Sequence, residues 1–310
     1  MTEQNLLFSR RKLIALAGMG SVAVPLALSY AHAQEGHVVT DCRGRRVAVG
    51  PARRIVCIGG TITETLYDLG AQARIIAVDT TSTWPESALK DKKSIGYMRT
   101  VSAEGVLSLQ PDLILAMNNA GPPAAMDQLV ASGPPVVFVE ATPSVEAIVA
   151  RTAFLSGIVG AAEAGRELVT KIEKGFDTLA QWRATHTTKR RVLFVMRMTN
   201  GHPMVAGSGT AADAIIGLTG ATNAGHAMQG YKVVEHEALI TLQPDVILIM
   251  AQDSAALHKD ILADAGFRMT PAVRHDAIIA LEGEELLGFG PRTPEAALKL
   301  AGMIEAASPA

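Results

Sequence analysis

The chain has 310 residues, 28 lysines and arginines against 30 aspartates and glutamates, and 48% apolar side chains. That near balance of charge excludes a basic nucleic-acid surface, and the apolar share suffices for one large core or two modest ones. Only 4% of residues are aromatic, so a tyrosine or tryptophan at a cleft-like position carries weight.

Residues 1–33 read as a cleaved export signal rather than structure. Ser9-Arg10-Arg11-Lys12-Leu13-Ile14 sets a twin-arginine pair before an apolar run, Ala15 to Leu28, that Gly18, Gly20 and Pro25 interrupt. Ala31-His32-Ala33 then supplies the small residues of an A-x-A cleavage site. The rival reading, a membrane anchor, suffers because the run is shorter than the roughly 20 apolar residues that span a bilayer. Twin-arginine and general secretory export both remain open. Either way the mature chain starts near Gln34, carries no transmembrane segment and works in the periplasm. Cys42 and Cys57 are the only cysteines; a disulfide is one reading in an oxidising compartment. Two free thiols are the other, since spacing does not fix Cα separation.

Val38 to Val49 alternates around Gly44 as a small opening hairpin. Ile55–Ile58 is a short apolar strand ending at Gly59-Gly60, and Thr61 to Leu69 a helix capped by Thr61 or Thr63 and stopped by Gly70. Strands follow at Arg74–Val78, Leu113–Met117 and Pro135–Val139, with a short helix at Ser102–Leu109 between the first two. Strands alternating with helices argue for parallel α/β sheets. Val145 to Ala184 has helical apolar spacing, with a break expected near Gly160. Beyond it lie strands at Val192–Met196, Val246–Met250 and Ile278–Leu281, and helices at Thr210–Leu218 and Glu295–Ala306.

An internal echo decides the architecture. Gly96-Tyr97-Met98-Arg99 leads through Ser102-Ala103-Glu104 to Leu107-Ser108-Leu109-Gln110-Pro111-Asp112-Leu113-Ile114-Leu115. Gly230-Tyr231-Lys232 leads through Glu235-His236-Glu237 to Ile240-Thr241-Leu242-Gln243-Pro244-Asp245-Val246-Ile247-Leu248. The fold class expected is therefore α/β, with two similar Rossmann-like lobes on mainly parallel sheets (residues 34–144 and 189–310). A long backbone helix, 145–188, joins them, and a ligand cleft lies between.

At these residues the sequence resembles the helical-backbone class of periplasmic binding proteins, which serve ABC importers of haem, cobalamin and siderophores. Within it, Gly96–Arg99 with Ser102–Gly105, Pro203–Gly207 with Thr210–Ala214, and Leu287–Thr293 are similar to haem-binding members. The resemblance implies transport without catalysis, with haem as the carried ligand and Tyr97 as its axial iron ligand. A phenolate is a hard anionic donor suited to ferric iron, and Arg99, two residues on, would favour the charged form. Tyr231 is the counterpart from the other lobe, placed to stack on or cap the porphyrin, with Lys232 and Arg197 as partners for propionates. Some members bind two stacked haems through a second-lobe histidine, a role open to His202. Glu104 and Glu237, at equivalent helix starts, match the acidic residues that dock such proteins on a membrane permease coupled to its ATPase; both also suit the helix dipole. The chain is expected to act as a monomer.

The closest rival is another cargo, cobalamin or a ferric siderophore, in the same role. An NAD-dependent oxidoreductase has one feature behind it, Gly207-Ser208-Gly209-Thr210-Ala211-Ala212 in the G-x-G-x-x-A pattern. No strand directly precedes it, and Glu235 is a weak candidate for the ribose-binding acid. A zinc or manganese carrier would need imidazoles from both lobes, yet no histidine occurs between His37 and His186. Hydrolase motifs such as G-x-S-x-G and H-E-x-x-H do not occur.

Overall fold

The computed structural model describes residues 36–186 and 189–307, so the export-signal reading of residues 1–33 lies outside the described residues. The first half runs β1 (His37–Thr40), β2 (Arg46–Val49), β3 (Ile55–Ile58), α1 (Gly60–Asp68), β4 (Ile75–Val78), α2 (Ser87–Asp91), β5 (Lys93–Ser94), α3 (Ala103–Leu107), β6 (Leu113–Met117), α4 (Pro123–Ala131) and β7 (Val136–Val139). β1 and β2 form the expected antiparallel hairpin. The other five strands make one parallel sheet in the order β5-β4-β3-β6-β7. Strands β3, β6 and β7 are buried along their whole length, which is why they read as unbroken apolar runs rather than alternating ones.

Two helices then join the halves, α5 (Val145–Ile158) and α6 (Ala162–Thr185). Their separation falls at Gly160, whose φ of 68° is left-handed backbone that glycine adopts without a Cβ clash. The second half continues β8 (Arg191–Thr199), β9 (His202–Ala206), α7 (Ala211–Thr219), β10 (Thr222–Asn223), β11 (Tyr231–Val233), α8 (His236–Leu242), β12 (Val246–Met250), α9 (Ser254–Ala263), α10 (Ala265–Arg268), α11 (Pro271–Arg274), β13 (Ile278–Leu281), α12 (Gly283–Leu287) and α13 (Thr293–Ala306). Its sheet is mixed: β10, β8, β12 and β13 are parallel, while β9 and β11 extend it antiparallel.

The sequence echo is a structural repeat. In the first half the Asp112 carboxylate accepts the backbone N–H groups of Arg53 and Arg54, at 2.7 and 2.8 Å, just before β3. In the second, Asp245 accepts the N–H of Arg191 at 2.8 Å, at the start of β8. The Arg54 guanidinium donates to the carbonyls of Leu109 and Gln110, and that of Arg191 to Leu242. Gln110 and Gln243 both turn the chain in the left-handed region, with φ of 51° and 41°. Each Gln-Pro-Asp thus ends a helix and clamps the first strand of its own sheet.

Two sequence expectations need correction. The helix expected from Thr61 begins at Gly60 behind Gly59, with no side-chain cap. Its first amides are met instead by Asp79, which accepts from Gly59 N at 2.7 Å, and Thr81, whose hydroxyl accepts from Gly60 N at 2.8 Å. Second, the strand expected to end at Met196 runs on to Thr199 and turns back into β9 through Asn200-Gly201, both at positive φ. Of the two readings left open for the cysteines, the free thiols hold, with Cys42 exposed and Cys57 buried.

The halves meet along a polar seam. Thr61 of α1 reaches Gly288 O and Glu284 of α12. Glu64 pairs with Arg292 at 3.2 Å and also accepts its backbone N–H at 2.9 Å. Thr83 donates to Glu282, and Arg151 of α5 donates to the carbonyls of Glu140 and Phe289.

Candidate functional site

Tyr97 follows β5 on a turn opened by Gly96, whose φ is 83°. The turn is pinned by Thr100 N donating to Tyr97 O, at 2.9 Å, and by Gly121 N donating to Met98 O, at 3.0 Å. Met98 is buried, so its neighbours on either side, Tyr97 and Arg99, are turned outward together. The Tyr97 side chain carries a large aromatic surface that is 45% exposed.

Tyr231 opens β11 and is half-buried, edge-on to Phe194 with ring centroids 6.5 Å apart. Burial raises its phenol pKa above the ordinary value; the Arg99 guanidinium opposes that rise and the Tyr97 phenol adds to it. Arg99 and Tyr97 of the first half thus lie within electrostatic reach of a second-half ring.

Strand register says what else stands beside Tyr231. Tyr231 pairs with Ala206, Val233 with Met204, Arg197 with Met204, and Thr199 with His202. Cross-strand partners share a face, so Arg197, Met204 and Val233 stand on the side of Tyr231. Lys232 does not. Alternate residues point to opposite faces, so the sequence expectation that it accompanies Tyr231 is not met. His202 lies on the right face but four residues along β9 from Ala206, about 13 Å at strand rise. There its Nδ1 is 3.2 Å from Glu235 Oε2, and its ring is 5.3 Å from His236, whose Nδ1 is 3.0 Å from Asp264 Oδ2. Glu104 and Glu237 occupy equivalent exposed positions in the first turns of α3 and α8.

Sequence reasoning missed Trp84. It is 42% exposed, with the Arg292 guanidinium 4.3 Å over its ring, and the adjacent Thr83 is bonded to Glu282 across the seam. The available signal was rarity, since the chain has two tryptophans. Contrary to the sequence expectation, a strand does directly precede the G-x-G-x-x-A motif, but it is β9, which runs antiparallel to β8, and a Cβ on Gly207 would strike the Met228 carbonyl. That glycine serves close packing of two loops, so the dinucleotide reading loses its structural context. Among the described residues, no three or more of His, Cys, Asp and Glu gather in a way that could hold a metal ion.

The family model described as "Periplasmic binding protein" matches residues 55–285. The chain belongs to that family. Among solved structures it is similar to the periplasmic heme-binding protein BhuT in complex with two hemes, at 37% identity and a TM-score of 0.77, over 82% of this chain and 98% of that one. Similarity to the periplasmic heme-binding protein RhuT from Roseiflexus sp. RS-1 is 33% identity with a TM-score of 0.78, over 83% and 100%. The vitamin B12-binding protein of Vibrio campbellii is 26% identical over 201 residues, 64% of this chain and 71% of that one. Among the described residues no helix is long and apolar enough to cross a membrane.

Proposed function

We propose that this protein is the exported binding component of a haem importer, holding ferric haem between its lobes with Tyr97 as the axial ligand. The observation that carries the reading is the outward Tyr97 phenol, exposed on its turn and set opposite Tyr231 with Arg99 beside it. Ionising a free tyrosine at pH 7 costs about 4 kcal/mol, three units below its usual pKa near 10. Ferric iron meets most of that cost by bonding the phenolate, and a neighbouring cation reduces it further. The mixed face of β8, β9 and β11 suits a macrocycle that is apolar at its centre and acidic at its edge. Val233, Met204 and the Tyr231 ring meet the centre, and Arg197 and Arg99 the propionates. His202, held near Glu235 at the far end of β9, is placed for a second haem rather than the first.

No bond of the cargo is broken, so the protein needs no catalytic group. Glu104 and Glu237, one per lobe, are the residues we assign to docking on the permease. Greater similarity to the heme-binding structures than to the vitamin B12-binding relatives supports haem over cobalamin. The test is a stoichiometric titration of purified protein with hemin and, separately, with cobalamin. A saturable Soret band with hemin is expected. Cobalamin binding without a hemin response would replace the cargo and leave the transport role standing.

A further inference from the structure

The seam gathers more acid than base. Glu64 of α1 and Asp79 after β4 are buried, at 2% and 0% exposure. Glu284 of α12 is half-buried, and its carboxyl lies against the chain, where a Cβ on either Gly60 or Gly288 would come within 2.6 Å of Oε1. Glu282 stands on the same side, bonded to Thr83. Against these four acids stand two arginines. Arg292 is committed to Glu64, and Arg151 spends its donors on the carbonyls of Glu140 and Phe289.

The hydroxyl of Thr61 decides how Glu284 is held. Its oxygen is 2.5 Å from Gly288 O and 3.2 Å from Glu284 Oε1. A hydroxyl has one proton to give, and a backbone carbonyl can only accept, so the shorter contact takes that proton. What remains on the Thr61 oxygen is lone pairs. An ionised Glu284 would face them with a lone pair of its own, whereas a carboxylic acid donates to them. Thr61 is the only hydrogen-bonding partner the Glu284 carboxyl has among the described residues.

We infer that Glu284 is held protonated in the folded protein, donates to Thr61 Oγ1, and through that proton locks α12 of the second lobe to α1 of the first. Opening the seam exposes the carboxyl to water, where it loses the proton. Removal from solvent, then the charges of Glu64 and Asp79, push its pKa to about 8 from an ordinary 4.5, and Glu282 adds to the rise. The Arg151 cation lies within electrostatic reach but its own pKa is lowered, to about 10, chiefly by burial. Because the closed seam binds a proton that the open seam releases, opening becomes easier as pH rises from 4.5 to about 8 and levels off above that. The lock is tightest in acid.

Hydrogen exchange across pH 5 to 9, corrected for the intrinsic rate of free amides, reads the seam directly. In the native protein the exchange of α1 and α12 amides through opening should accelerate by up to about ten-fold per pH unit below pH 8. Glu284→Gln keeps a donor to Thr61 without a titratable proton, and its seam should show no such slope. Equal slopes in both proteins, or none in the native one, would overturn the inference. If the variant fails to fold, infrared spectra of the native protein decide alone. A carboxylic-acid carbonyl band lost with a midpoint near pH 8 is expected, and absence of that band at pH 6.5 sinks the lock. Neither readout involves haem, so the result stands apart from the cargo.

Discussion

Tyr97 and Tyr231 occupy matching places in a repeated sequence, yet the two lobes put them in different surroundings. Tyr97 sits on an open turn after a two-residue strand, with its side chain exposed and Arg99 alongside. Tyr231 sits in a paired strand, because the second lobe has grown the β8–β9 hairpin that β11 adds to. Pairing fixes its backbone, Phe194 fixes its ring, and burial raises the pKa of its phenol. An anionic ligand must ionise and must move little to reach its metal. In the proposed role the exposed copy is the one open to a metal, while the half-buried copy, its phenol pKa raised, offers a stiff neutral wall. The repeat holds two tyrosines, and pairing onto the β8–β9 hairpin makes Tyr231 the poorer candidate for an anion.

The largest effect should come from breaking that division of labour. Tyr97→Ala should weaken hemin binding at least a hundred-fold, about 3 kcal/mol, with the Soret band shifted and diminished in titration. A Tyr231→Ala variant that lost as much while Tyr97→Ala lost little would reverse the assignment. Next in size is the seam that holds the two lobes in register. Arg292→Ala leaves Glu64 buried without its cation, a loss of about 3 kcal/mol at neutral pH, read as a lower midpoint in urea. The sign with pH follows from Glu64, whose pKa burial already raises against the pull of Arg292. Without Arg292 it rises further, so the deficit of the variant should shrink as pH falls towards 4.5 and the folded carboxyl takes up its proton.

The two Gln-Pro-Asp clamps allow a finer comparison. Asp112 accepts two backbone amides and Asp245 one. At about 1 kcal/mol per hydrogen bond, Asp112→Ala should cost roughly 2 kcal/mol and Asp245→Ala roughly 1, measured by denaturant unfolding. Equal losses would mean that the clamps hold strands through the proline turn rather than through the carboxylate.

Much of this architecture is legible in the residues, and the rest is hidden for identifiable reasons. The strands Ile55–Ile58, Leu113–Met117 and Val246–Met250 show as apolar runs because both faces are covered. The repeat shows because one clamp needs the same Gln-Pro-Asp in each lobe. Met196 hid the β8–β9 hairpin. The register shifts between Val195 and Arg197, which breaks the alternation that would have carried the strand on to the Asn200-Gly201 turn, a strong hairpin signal in its own right. The same shift decides which face Arg197 takes. Lys232 adjoins Tyr231 in sequence, but strand alternation turns it to the opposite face, which adjacency alone does not reveal. The seam was beyond reach, since Thr61, Glu64, Glu284 and Arg292 are brought together only by folding, across 223 or more positions.

The smallest expected effect is also the sharpest test of the contrast between the tyrosines. Tyr231→Phe keeps the ring against Phe194 and removes only the hydroxyl. If that ring is a wall, hemin affinity should change by less than about three-fold, under 1 kcal/mol, and the Soret maximum should not move. A hydroxyl that bonds iron would instead shift the spectrum, however little the affinity changed. Arg99→Met sharpens this further. Arg99 holds the Tyr231 pKa down against burial, so removing it should move the ultraviolet tyrosinate titration of that residue to higher pH while weakening haem binding through Tyr97. Two effects from one side chain, one on each tyrosine, would place its charge between them. An Arg99→Met variant that changed binding but left the Tyr231 titration where it was would confine Arg99 to its own lobe and dissolve the shared gap on which the pairing of these tyrosines depends.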